Sequence, residues 1–166
     1  MTKDGSDDDV FGRIAWGVGT AVLGHSMGGQ ATVFSSSYEN ATNYDVRAAV
    51  MHHAYTHEFP APQVPFLAFT GVEDLTAPPS MAKGFFLAPN AHARRGYVNR
   101  KWTTHHEPDI LNYNSLLPQF TAAWLKIYLD QTPQADGNDY HRMIYGNSTD
   151  SLCNGGDGSM EACEVY

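Results

Sequence analysis

Apolar positions fall into two rhythms along the chain. Residues 14–23, 46–51 and 64–70 are nearly continuous apolar runs, each ending at glycine or a polar cluster. Short runs of that kind, bounded by turn residues, predict strands buried on both faces of a sheet. The first leads into Gly24-His-Ser-Met-Gly-Gly29, so strand, tight turn and then a helix from Gln30 to Tyr38 are expected in that order. Pro60, Pro62 and Pro65 exclude a helix before the third run, and Pro78-Pro79 suits the first turn of a helix over residues 80–87. Residues 97–103 mix apolar and polar positions, which predicts a less buried strand nearer a sheet edge. The second rhythm is helical: Leu116, Phe120, Ala123, Trp124, Ile127 and Tyr128 mark one face of an amphipathic helix over residues 115–130. Residues 132–166 are rich in Gly, Asn and Asp, and the chain has no internal repeat. Strands alternating with helices give an α/β fold with a mostly parallel sheet and helices on both faces.

Composition places these elements in one soluble domain spanning residues 10–166. At 42% hydrophobic and 12% aromatic residues, the chain can bury a core. Residues 1–9 carry Lys3 against Asp4, Asp7, Asp8 and Asp9 and read as a disordered acidic tail without the features of an export signal. The run over 14–23 is broken by Gly17 and Gly19 and is too short to span a membrane. With 10 basic against 18 acidic residues, the formal charge of −8 weighs against nucleic acid as a partner, despite the cluster Arg94, Arg95, Arg100 and Lys101. Cys153 and Cys163 are the two cysteines, close enough in sequence to close a short loop. Their spacing fits neither a zinc site nor a C-x-x-C redox motif; a disulfide is expected, which points to an oxidising compartment.

The candidate chemistry begins at Ser26. Gly24-His25-Ser26-Met27-Gly28 fits G-x-S-x-G, in which a serine occupies a strained strand-to-helix turn whose neighbours must lack side chains. The Met27 N–H, at the start of the next helix, is the candidate donor to an oxyanion. Such a serine needs a histidine to take its proton and an acid to orient that histidine. Asp74, in the loop after the third strand, is the expected acid, with Glu73 as its competitor. His105 and His106, which follow the last predicted strand, supply the base. His52, His53, His57, His105 and His106 also raise the question of a metal, but His52 and His53 would point to opposite faces of one strand, so neither metal nor cofactor is expected.

Gly24-His-Ser-Met-Gly-Gly29, Gly71-x-x-Asp74-x-x-Ala-Pro78 and Thr104-His105-His-Glu-Pro108 ahead of an Ala-Trp-Leu-Lys helix together resemble the α/β-hydrolase superfamily. The likeness is to its dienelactone-hydrolase-like branch, which holds bacterial cutinases and polyester (PET) hydrolases. That resemblance implies a secreted serine carboxylester hydrolase acting on small or polymeric esters through Ser26, His105 and Asp74. It favours His105 over His106 as the base, and it implies a C-terminal disulfide where Cys153 and Cys163 stand. It also implies further strands, with a second oxyanion donor, upstream of the serine, so the chain reads as the C-terminal part of the fold. In that arrangement the strand before Ser26 would lie in mid-sheet and expose an unpaired apolar edge. His53 falls where the polyester hydrolases carry a substrate-stacking tryptophan, and His25, His53 and Tyr55 are the expected substrate contacts. The alternatives are a lipase- or peptidase-like relative, and a noncatalytic remnant or interaction module.

Overall fold

A computed structural model describes residues 17–92, 94–108, 116–129, 139–154 and 159–166. Five strands form one sheet in the order β1 (Thr20–His25), β2 (Val46–His52), β3 (Phe66–Gly71), β4 (Arg95–Arg100) and β5 (Met160–Val165). The first four run parallel and β5 runs antiparallel to β4. The acidic tail and the start of the first predicted strand lie outside the described residues. Because parallel strands must be joined by crossovers, α1 (Met27–Ser37) links β1 to β2 and α2 (Pro79–Phe86) links β3 to β4. The chain then adds α3 (Leu116–Leu129) and α4 (Tyr140–Tyr145) before β5.

The period-2 alternation of side chains on the buried strands divides the core into two layers. Ala49, Met51, Phe66, Ala68 and Tyr97 face Val33 of α1 and Ala82, Phe85 and Phe86 of α2. Ala48, Val50, Leu67, Phe69 and Val98 face Leu117, Phe120, Ala123 and Trp124 of α3 and Ile144 of α4. Helices therefore cover both faces, as the apolar runs predict. Trp124, Phe66, Phe69, Phe85 and Phe86 are the largest of the fully buried side chains.

Three expectations are corrected. The fourth strand was expected near an edge because Asn99 and Arg100 interrupt its apolar pattern, yet it is almost wholly buried between β3 and β5. Its polar side chains reflect the network they enter at the strand end, described below, rather than solvent. β5 and α4 lie in the Gly-, Asn- and Asp-rich region for which no element was predicted. β5 is held by pairing with β4 and by the Cys153–Cys163 disulfide, which bridges it to the segment after α4. At the other side, β1 was expected from its apolar run to be buried on both faces, yet all its positions are exposed or half-buried, with Leu23 57% exposed, because no described strand covers its outer edge.

His52 ends β2 inside the layer packed on α3. Its ring stacks on Phe69 with centroids 5.2 Å apart, and Nε2 lies 3.3 Å from the Thr121 hydroxyl. Burial, aided by the neighbouring His53 and His25, pushes its pKa down from 6.5 to about 3. The fold therefore keeps His52 neutral while the unfolded chain takes up a proton. Stability from this residue is complete above pH 6.5 and declines by about 1.4 kcal/mol per pH unit as pH falls toward 3.

Two predictions follow from this packing. Urea unfolding of His52→Phe between pH 6.5 and 4 should show a flatter acid decline than the native chain, and an equal decline in both would place the acid sensitivity elsewhere. Replacing Cys153 and Cys163 together by serine should lower stability by about 2–4 kcal/mol, read from the denaturation midpoint.

Candidate active site

The parallel register brings the C-terminal ends of four consecutive strands to one edge of the sheet, where ligands gather in open α/β folds. Ser26 follows β1, His53 follows β2, Asp74 lies just past β3 and His105 lies in the loop after β4. Residues far apart in sequence thus meet because each stands at the same height on its own strand.

Ser26 adopts φ 57° and ψ −119°, a strained turn between β1 and α1. Hydrogen bonds to the end of β2 hold it there: its N–H donates to the His52 carbonyl at 3.1 Å, and its own carbonyl accepts from Tyr55 N–H at 3.0 Å. Close packing explains two of the three glycines. A side chain at Gly24 would collide with the Gly28 carbonyl and one at Gly29 with the Ala54 backbone, whereas nothing described crowds Gly28. With the turn so fixed, Ser26 Oγ lies 2.8 Å from His105 Nε2, and His105 Nδ1 lies 2.9 Å from Asp74 Oδ2. For the serine hydroxyl to donate to Nε2, the proton of the neutral ring must sit on Nδ1 and be donated to Asp74.

Asp74 is buried and its carboxylate is saturated with donors. Oδ1 accepts the backbone N–H groups of Thr76 at 3.0 Å and Ala77 at 2.7 Å, an arrangement set by the Asp-Leu-Thr-Ala turn. Oδ2 accepts from His105 and also from His53 Nδ1 at 2.8 Å. Burial opposes ionisation, but the hydrogen bonds from Ala77, His105 and His53 outweigh it and hold the carboxyl below its ordinary range. Glu73, the competing acid, is exposed, and its backbone N–H donates to the Thr103 carbonyl at 3.0 Å.

Ser26, Asp74 and His105 are therefore brought together, and the Met27 N–H heads α1 beside them, among the first helical N–H groups that have no partner within the helix. His106 is exposed and His105 occupies the site. The expected substrate contacts fare differently. His25 is exposed at the end of β1, with Nε2 2.8 Å from the His105 carbonyl and its ring 4.7 Å from that of His105. Partial desolvation of its ring, with His105 and His53 nearby, lowers the pKa of His25, and the neutral ring can donate to that carbonyl. Tyr55 is half-buried, with its hydroxyl 3.2 Å from His57 Nε2. His53, expected to line the acyl site, is instead fully buried. The strand ends at His52, and at His53 the chain takes a left-handed turn with φ 47° that drops the ring beneath Asp74. Its other nitrogen, Nε2, lies 3.0 Å from Glu107 Oε2, and Glu107 Oε1 is paired with Arg100.

Glu107 and Arg100 escaped the sequence reading. The available signal was a charged residue ending a strand otherwise suited to burial, with an acid two residues past the candidate base. The donor atoms of His53, Asp74 and His105 lie within 4.8 Å of one another, as metal ligands do. Their separations are those of N–H···O hydrogen bonds, and a cation would have to displace the protons that join them.

A family model for PETase, described as PET hydrolase-like, matches residues 2–163. The chain belongs to the PET hydrolase-like family. No curated protein matches the chain. Membership in this PET hydrolase-like family agrees with the mostly parallel sheet flanked by helices and supports an ester or polyester hydrolase. The Cys153–Cys163 disulfide fits an extracellular member. Among the described residues, no helix is long and apolar enough to cross a membrane.

The loops carrying Asp74 and His105 meet at Gly71, where a side chain would collide with the Thr103 backbone. Gly71→Ala should therefore lower stability by about 1–3 kcal/mol in urea unfolding, the cost of overpacking a rigid contact. An unchanged midpoint would show that the two loops can separate freely.

Proposed function

We propose that the chain is a serine carboxylester hydrolase that works through an acyl-enzyme. The observation that carries this reading is the continuous hydrogen-bonded line from Ser26 Oγ through the His105 ring to Asp74, with links of 2.8 and 2.9 Å, at a strained strand-to-helix turn. Ser26 Oγ attacks the ester carbonyl while His105 Nε2 takes its proton, and the Met27 N–H stabilises the charge that develops on the carbonyl oxygen. His105 then returns the proton to the departing alcohol. Water attacks the acyl-enzyme by the same route and releases the acid. Asp74 stays ionised throughout, holding the ring in its reactive tautomer and balancing the positive charge that His105 carries between steps. The low pKa of Asp74 supports that role.

Apolar side chains support an apolar ester as substrate. Met27, which opens α1, and Val72, Leu75 and Trp102, in the loops after β3 and β4, are 72%, 45%, 92% and 74% exposed. They stand at the end of the sheet that carries Ser26, where a small aryl or alkyl ester or a segment of polyester could lie against them. The family match supports the same class, and the disulfide supports a secreted enzyme.

A fluorophosphonate probe should label Ser26 in the folded chain, and hydrolysis of a short-chain p-nitrophenyl ester should fall by more than about 1,000-fold in Ser26→Ala. A chain that is folded by circular dichroism yet neither labelled nor active would rule out the hydrolase reading and favour a noncatalytic module.

A further inference from the structure

We propose that His53 is a positioning residue for this hydrolysis: a doubly protonated imidazole that bridges Asp74 and Glu107 and fixes the carboxylate on which His105 depends. The inference rests on the ester-hydrolase reading above and goes beyond it, because the line from Ser26 to Asp74 does not require a second histidine.

Geometry carries the argument. The His53 side chain is fully buried, and each of its ring nitrogens faces a carboxylate oxygen, Asp74 Oδ2 at 2.8 Å and Glu107 Oε2 at 3.0 Å. A neutral imidazole has one N–H and one lone pair, so it would set that lone pair against the oxygen of a carboxylate. Arg100, paired with the other Glu107 oxygen, favours Glu107 as an ionised acceptor. With His53 as a cation, both of its contacts are N–H···O bonds. Arg100 and His53 then balance Glu107 and Asp74, the condition under which charges can be buried together.

The consequence reaches His105 through one atom. His53 and His105 both bond to Oδ2, their rings nearly perpendicular with centroids 6.0 Å apart, while Oδ1 is held by the Thr76 and Ala77 N–H groups. Asp74 is thereby fixed against rotation, and Nδ1 of His105 meets its acceptor in one orientation. The His53 backbone is itself held in the left-handed region at φ 47°, so the ring is seated by a local strain that the surrounding contacts must sustain.

The test uses the intact chain and four proteins: native, His53→Asn, His53→Ala and Glu107→Gln, each checked for folding by circular dichroism. Asparagine tolerates the left-handed backbone and keeps a donor for Asp74, while Glu107→Gln leaves the His53 backbone untouched. With a p-nitrophenyl ester, His53→Ala should lower kcat by about 10- to 100-fold, the scale of losing an orienting partner of a reactive histidine. KM should stay within about threefold, because the change strips no substrate contact and acts on the chemical step. His53→Asn should recover most of the lost kcat. Two-bond 1H–15N spectra of the native chain at neutral pH should show both His53 ring nitrogens protonated, and Glu107→Gln should convert that pattern to a neutral tautomer. A neutral His53 in the native protein, equal losses in His53→Asn and His53→Ala, or unchanged kcat in both would overturn the proposal while Ser26 labelling leaves the hydrolase reading intact. A folded native chain that is inactive and unlabelled would overturn both.

Discussion

The Asp74 carboxylate is the junction on which the loop end of this molecule depends. Four donors converge on its two oxygens, from the backbone of its own turn and from histidines that follow two different strands. A buried carboxylate is costly unless its lone pairs are filled, and here the filling groups set the position of the neighbouring loops. Burial alone would raise the pKa of Asp74; the donors reverse that shift. The same hydrogen bonds that make the charge tolerable thus hold the ring of His105 toward Ser26.

That junction exists because the sheet is parallel. Four strand ends lie side by side, so loops separated by tens of residues open onto one edge. The strained turn at Ser26 is pinned to the end of β2, and the loop of Asp74 is pinned at Gly71 against the loop of His105. Stability and site geometry are coupled at these contacts, since each bond that positions Ser26, Asp74 or His105 also closes a loop against the core. The far edge contributes as well. β5 pairs with β4, its Met160 in register with Arg100, and so supports the strand end from which Arg100 reaches Glu107.

The histidines show how one residue type takes different roles from its surroundings. His52 is buried against Phe69 with only a weak contact to Thr121, and its low pKa keeps it neutral. His53, next in sequence, lies between two carboxylates. His25 supports the backbone of His105, and His106 is left in solvent. A one-residue change in backbone conformation, from the extended His52 to the left-handed His53, separates the first two environments.

Much of this was legible in the sequence because it rests on local rules. The continuous apolar runs at 46–51 and 64–70 require strands buried on both faces, the spacing from Leu116 to Tyr128 requires a helix, and Gly24-His-Ser-Met-Gly-Gly29 requires a tight turn between strand and helix. The order of Ser26, Asp74 and His105 was likewise readable, since each stands just past a predicted strand. What the sequence could not decide were pairings between distant segments. β5 carries only a weak apolar pattern and becomes a strand through its ladder with β4 and its disulfide. The polar end of β4 suggested an edge because Arg100 has no visible partner until Glu107 folds back onto it. His53 could be counted to a position in a loop, but whether its ring faced solvent or Asp74 turned on one positive φ angle, which only the packing around it fixes.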